Sequence, residues 1–229
     1  MAKLLAVIGC PGSGSTTLAT QLALYCTKQK ETVSLVFADP VLPPKSYLIR
    51  NPKQSSLGTL LSSTDLSEKQ ILSAMDAVTD SLGVLGYACG DRLHHFPAPS
   101  STTCTTLLKK LSLCSDTVIV DIGSRLEDKL AMTALEQADM VVAVIDGTLK
   151  SVAWQAILPV FSHGVTVANQ LQSTLTATAD FLFPYFPDLQ QQMQELQGFA
   201  LFQNKQFLPT MQLLHQKVNV PKKQLSLTR

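Results

Sequence analysis

The chain has 229 residues, 45% of them hydrophobic and 15% charged, with a formal net charge of +1. That length accommodates one α/β domain with a large core, and the near-zero charge excludes a bulk field that would draw the protein to nucleic acid or a membrane surface. A charged fraction below the usual quarter leaves an apolar surface share that points to a partner interface.

The first predicted element is a buried strand, Leu4-Leu5-Ala6-Val7-Ile8, running into Gly9-Cys10-Pro11-Gly12-Ser13-Gly14-Ser15-Thr16-Thr17. A helix over Thr17–Tyr25 follows. Strand, glycine loop and helix are the context of a phosphate-binding loop, G-x-x-x-x-G-K-[ST]. One position departs from it, because Ser15 stands where the lysine belongs. Gly9, Gly12 and Gly14 let the backbone curl until its N–H groups form an anion nest, and the helix N-terminus adds partial positive charge. Gly9, Gly12, Ser13, Gly14, Ser15, Thr16 and Thr17 are therefore the candidate nucleotide-binding residues, with the Thr16 hydroxyl placed to ligate Mg²⁺. A hydrogen bond to a charged group contributes about 1.5–3 kcal/mol, so loss of the lysine weakens binding by about tenfold to a hundredfold. Hydrolysis suffers more, since phosphoryl transfer depends on positioning and charge stabilisation. The other reading of the loop is a tight turn that binds nothing.

The next strand, Val33–Ala38, ends at Asp39-Pro40 and opens a long loop containing Pro40, Pro43, Pro44 and Pro52. Ser67-Glu-Lys-Gln70 predicts a capping box and a helix to about Val78, followed by a strand over Leu82–Ala88. Residues 89–101, with the adjacent His94 and His95, read as loop. A helix over Thr103–Leu113 leads to the strand ending Val118-Ile-Val-Asp121-Ile-Gly123. Asp121 is a candidate Mg²⁺ carboxylate, the following glycine permitting peptide movement beside a γ-phosphate; Asp39 is a candidate for positioning water or Mg²⁺, or a turn residue. Further on come a helix over Glu127–Gln137, an apolar strand Met140–Ile145, a helix through Trp154 and a strand Gly164–Asn169. Asn169 carries an amide able to read an adenine edge, or is an ordinary strand-to-loop residue. A short strand Phe181–Phe183 and helices over 188–196 and 206–217 complete one domain, 1–216. The tail, 217–229, has four basic residues and no acid, a weak pointer to DNA or anionic lipid. Alternating strands and helices predict an α/β fold, a mostly parallel sheet with helices on both faces.

Five cysteines without C-x-x-C spacing argue against a zinc site or disulfide framework and fit a reducing cytoplasm. Cys10, within the loop, is either a plain loop residue or a thiol activated by the helix N-terminus. No apolar run reaches membrane-spanning length, and Met1-Ala2-Lys3 leads directly into a strand, so neither a span nor a signal peptide is expected.

In order along the chain these pieces resemble the ParA/MinD family of P-loop ATPases over nearly the whole length. The resemblance rests on Gly9–Thr17, Phe37-Ala-Asp39-Pro40, Asp121-Ile-Gly123, Ala138-Asp-Met-Val-Val-Ala-Val144, Asn169 and Pro184-Tyr-Phe-Pro187. The loop also looks like that of atypical members, the TadZ/CpaE branch and relatives in mobile elements. The resemblance implies a cytoplasmic, ATP- and Mg²⁺-dependent switch that forms a homodimer over two nucleotides and positions a cargo. Departures from the family pattern lie at Ser15, at Cys10 in place of a second, signature lysine, and at Phe37 in place of an acid. A cluster-bearing relative of the nitrogenase iron protein is excluded, because no cysteine follows Cys114. Arg125 and Lys45 are the candidate replacement cations, or else solvated surface charges. Two functions from different classes compete: a nucleotide-binding switch with weak or absent hydrolysis, and a nucleotide-free scaffold for an unknown protein partner. A small-molecule kinase or ligase lacks any identifiable general base.

Overall fold

The computed structural model describes residues 2–63, 65–158, 161, 163–171, 179–195 and 198–219. Most of the basic tail expected over 217–229 lies outside the described residues. In chain order the elements are β1 (Lys3–Gly9), α1 (Ser15–Lys28), β2 (Val33–Phe37), α2 (Lys45–Leu48), α3 (Leu57–Leu61), α4 (Glu68–Ala74), β3 (Asp76–Thr79), β4 (Leu82–Gly86) and α5 (Ser101–Cys114). They continue as β5 (Thr117–Gly123), α6 (Lys129–Gln137), β6 (Met140–Ile145), α7 (Leu149–Ile157), β7 (Gly164–Leu171), β8 (Phe181–Pro184), α8 (Pro187–Gln194) and α9 (Phe207–Val218).

The eight strands form one sheet in the order β3-β4-β2-β5-β1-β6-β7-β8. All neighbouring pairs are parallel except the β3–β4 hairpin. The expected mostly parallel sheet with helices on both faces is therefore present. Strand β1 alternates between two cores, as the period of two in a strand requires. Leu5 and Val7 pack with α1 and α9 residues such as Leu22, Met211 and Leu214. Leu4, Ala6 and Ile8 face the other side, with Leu107, Leu111 and Leu130 from α5 and α6. From β1 the chain first lays down β2, β3 and β4 on one side, returns to insert β5 between β2 and β1, then crosses to β6, β7 and β8 on the other. β1 is thus the switch point of the sheet, where α/β proteins open a crevice beyond the carboxyl ends of their strands.

The capping box at Ser67 is formed, but α4 stops at Ala74 instead of reaching Val78. Met75 turns extended, and Asp76–Thr79 pairs antiparallel with β4. The reason lies elsewhere in the chain. Asp76 is buried, and its carboxylate meets the Lys45 ammonium at 2.8 Å while accepting the Lys53 backbone N–H at 2.7 Å. Lys45 itself is 1% exposed and also donates to the Ser55 carbonyl at 2.8 Å. It is a core ion pair, neither a phosphate ligand nor a solvated charge. His94 and His95 lie in a short 3-10 turn. No helix among the described residues is long and apolar enough to cross a membrane.

Candidate functional site: a glycine loop beside an aromatic cleft

Two of the three loop glycines between β1 and α1 take the positive φ expected of them, whereas Gly9 ends strand β1 and is needed for space instead. Gly12 and Gly14 lie at φ of 86° and 82°, the region that favours glycine. A side chain on Gly9 would strike Ser13 Oγ and Ser15 Cβ, each at 2.6 Å. Ser13 is fully buried, and its hydroxyl has no hydrogen-bond partner among the described residues. Helix α1 begins at Ser15, two positions earlier than the sequence suggested, so Ser15 and Thr16 occupy its first turn. Cys10 is 1% exposed, and its backbone N–H is held by the Val144 carbonyl at 3.1 Å. It is an inward-facing residue of the turn.

Strands β2 and β5 flank the loop with acids. Val7 of β1 and Phe37 of β2 both register with Asp121, and β1 then skips Ile122 to pair Ile8 with Gly123. That irregularity is a bulge beside the site, the kind that re-aims a side chain. The Thr16 hydroxyl donates to the Asp121 carboxylate at 2.6 Å, and the Gly123 N–H does so at 3.3 Å. Burial raises the Asp121 carboxyl to about 6, against the opposing pull of those two donors and with a further push from Asp39. Asp39 is half-buried and accepts from the Val41 N–H at 2.8 Å. Its second oxygen would stand 3.7 Å from a side chain on Gly123, whose φ is 66°. The Tyr47 phenol of α2 is also pushed up, first by burial and then by Asp121 and Asp39. Thr16, Asp39 and Asp121 therefore converge, an all-oxygen donor set of the type Mg²⁺ takes.

Strand β7 buttresses the opposite flank. Asn169 Nδ2 donates to the Ser13 carbonyl at 2.8 Å, and Gln170 Nε2 to the Gly12 carbonyl at 3.3 Å. Gln170 sits at φ 56°, held in that conformation beside the loop. Both residues, with Gly12, Thr16 and Thr17, line a cleft of about 560 Å³ whose other walls include Tyr47, Pro184, Tyr185, Phe186 and Leu189. An apolar, aromatic cleft with a few convergent amides is what a planar base requires. Asn169 thus belongs to the site, with its amide nitrogen spent on the loop backbone.

Arg125 is partly exposed and faces Glu127 at 3.8 Å. The cation at the loop is one the sequence did not reveal: Lys150 of α7 donates to the Pro11 carbonyl. No local pattern marks it. Its position follows from β6 pairing beside β1 and ending where α7 begins.

No protein-family model matches the sequence, and no curated protein matches it. Solved structures do. A ParA family ATPase from Chlorobium tepidum aligns with 94% of this chain and 99% of its own at a TM-score of 0.78 and 14% identity. A plasmid partition protein from Borrelia burgdorferi bound to AMPPNP covers 99% of both chains at 0.66 and 16%. The septum site-determining protein MinD from Pyrococcus horikoshii, complexed with Mg-ADP, covers 95% of both at 0.68 and 15%. Fold and loop together define a P-loop α/β protein. Within that class the chain has the ParA/MinD-like fold.

Proposed function

We propose that the protein is a nucleotide-binding switch of the positioning and partitioning kind, taking an adenine nucleotide with Mg²⁺ and hydrolysing it weakly or not at all. The observation that carries this reading is the conjunction of a loop curled at Gly12 and Gly14, the Thr16–Asp121 pair at 2.6 Å and an aromatic cleft on the same loop. The backbone amides of Gly12, Gly14, Ser15, Thr16 and Thr17 receive the phosphates, those of Cys10 and Ser13 already donating to the Val144 and Cys10 carbonyls, and the orphaned Ser13 hydroxyl offers one more donor. Thr16 and Asp121 would hold Mg²⁺, with Asp39 close enough to order its water. The metal would supply the positive charge that the loop lacks. Asn169 and Tyr185 border the base. With Ser15 in the lysine position, no side chain of the loop itself neutralises charge on a transferring phosphoryl group, so turnover is slow.

Helix α7 supports a homodimer over the loop, because Leu149, Val152 and Ile157 are 84%, 56% and 71% exposed beside it. Singly exposed apolar residues are ordinary, whereas a row on one helix next to a ligand site favours a partner.

The competing scaffold reading has one observation in its favour: the Thr16 hydroxyl already donates to Asp121, so its carboxylate has a protein partner without metal. Calorimetric titration of Mg-ATP into the wild-type chain and into Ser15→Lys separates the two. Micromolar binding by the wild type, strengthened about tenfold to a hundredfold in the variant, supports the switch. Binding by the variant alone supports the scaffold, and binding by neither removes the nucleotide reading. Light scattering with and without Mg-ATP tests the dimer.

A further inference from the structure

The missing loop lysine leaves a specific deficit: nothing on the loop carries positive charge toward the terminal phosphates. We infer that Lys150 supplies it, reaching in from the first turn of α7; this rests on the nucleotide reading above. Gly9 pairs with Val144, and the Cys10 N–H bonds the Val144 carbonyl, so the end of β6 and the start of the loop travel together. The turn that follows β6 is tied tightly. Asp146 accepts from the Thr148 N–H at 3.0 Å, the Thr148 hydroxyl at 2.6 Å and the Ser151 hydroxyl at 2.5 Å. Thr148 then caps α7 through the Ser151 N–H. The base of the Lys150 side chain is therefore fixed, while its four-carbon stem is exposed and able to pivot.

The ammonium is already at the loop. It donates to the Pro11 carbonyl, and a side chain on Gly12 would meet Nζ at 3.6 Å and no other heavy atom of the described residues within 4 Å. Among the described residues Lys150 forms no ion pair. Its hydrogen bond among the described residues goes to a neutral carbonyl, with the Asp146 carboxylate a more distant charge, and a phosphate oxygen forms a hydrogen bond roughly twice as strong. Inside the same loop the buried Ser13 hydroxyl is without a partner, a second group waiting for an acceptor. The base cleft is bordered on its loop side by Gly12, Thr16, Thr17 and Asn169, and Lys150 does not line it. A nucleotide with its base against the aromatic wall of the cleft and its phosphates along the loop would carry its terminal phosphate past Gly12 toward Pro11, where the Lys150 ammonium lies, so Lys150 is a phosphate-binding residue for the γ position. It distinguishes nucleoside triphosphate from diphosphate.

The test is calorimetric titration of ATP and of ADP, each with Mg²⁺, against wild type, Lys150→Ala, Lys150→Gln and the double variant Ser15→Lys/Lys150→Ala. Both single variants are expected to lose about tenfold to a hundredfold in ATP affinity with little change for ADP, and Ser15→Lys to restore ATP binding in the Lys150→Ala background. Equal weakening of both nucleotides, or no weakening, overturns the assignment of Lys150 and leaves the nucleotide reading standing. If the wild type binds neither nucleotide, the nucleotide reading fails and the assignment fails with it.

Discussion

Replacing Asp121 by Asn should make the nucleotide-free protein more stable. In the fold its carboxyl titrates near 6, against an ordinary 3.8, and the leading cause is burial. A folded-state pKa above the unfolded value means that the native state holds its proton longer as pH rises. The resulting cost to stability is absent below 3.8, grows through the interval and is fully present above 6. At 1.36 kcal/mol per pKa unit the full cost is about 3 kcal/mol. Asparagine carries no charge to desolvate and can still accept from the Thr16 hydroxyl. Its NH2 then faces the Gly123 N–H, and losing that bond costs about 1 kcal/mol.

The net gain is about 2 kcal/mol near neutral pH, or a rise in Tm of roughly 4–8 °C for a chain of this size. Differential scanning calorimetry in EDTA at pH 7.5 and again at pH 5 measures it. The advantage of Asp121→Asn should shrink by about two thirds at pH 5, where the native carboxyl is mostly protonated and the unfolded one is not. The same variant should lose the thermal shift that Mg-ATP gives the wild type. A variant less stable than wild type at pH 7.5, or an advantage independent of pH, would refute the argument that a desolvated carboxylate is maintained here at the expense of stability.

Two further substitutions probe the frame around the site. Gly14→Ala places a Cβ 2.5 Å from Asn169 Nδ2 and 2.8 Å from Gln170 Nε2 at a φ of 82°; strain of about 1–3 kcal/mol should lower Tm by several degrees and abolish nucleotide binding, and unchanged calorimetry on both counts would contradict the loop geometry. Lys45→Met strands the buried Asp76 carboxylate, which should cost about 3–5 kcal/mol in urea unfolding. Adding Asp76→Leu should recover most of that loss, and a double variant as unstable as the single would show that the ion pair is not the cause.

What was legible in the sequence was what neighbouring residues encode. Leu4–Ile8, Val33–Ala38 and Met140–Ile145 are unbroken apolar runs, the signature of strands covered on both faces, and each became a central strand. The glycine loop, Thr16 and Asp121 were legible because their spacing serves one local geometry. What was not legible depends on contacts distant in sequence. The helix expected through Val78 gives way to β3 because Asp76 pairs with Lys45, 31 positions away. Asn169 was found as a candidate base reader, but its bond to Ser13 spans 156 positions, and that of Gln170 to Gly12 spans 158. Lys150 was missed for the same reason: its donation to Pro11 crosses 139 positions and exists only because β6 lies beside β1.

The charge distribution of the site carries a consequence for binding order. Burial above all, and Asp39 in lesser measure, makes ionisation of Asp121 harder. Ser15 contributes no charge to oppose the two acids, and Lys150 is a single exposed cation. A polyphosphate entering without metal would therefore meet two carboxylates across a partly desolvated gap, where like charges repel by several kcal/mol. Mg²⁺ reverses the sign of that encounter, because the largest local charge then belongs to the ion. Nucleotide binding should accordingly require the metal outright, and EDTA should abolish it. Because a carboxylate must be deprotonated to serve the ion, affinity for Mg-ATP should also fall as pH drops through about 6, the range in which Asp121 gains its proton. Asp121→Asn, already weak, should show no such fall. Binding of metal-free ATP as tight as that of Mg-ATP would mean that cations of the chain, and not the ion, balance the phosphates.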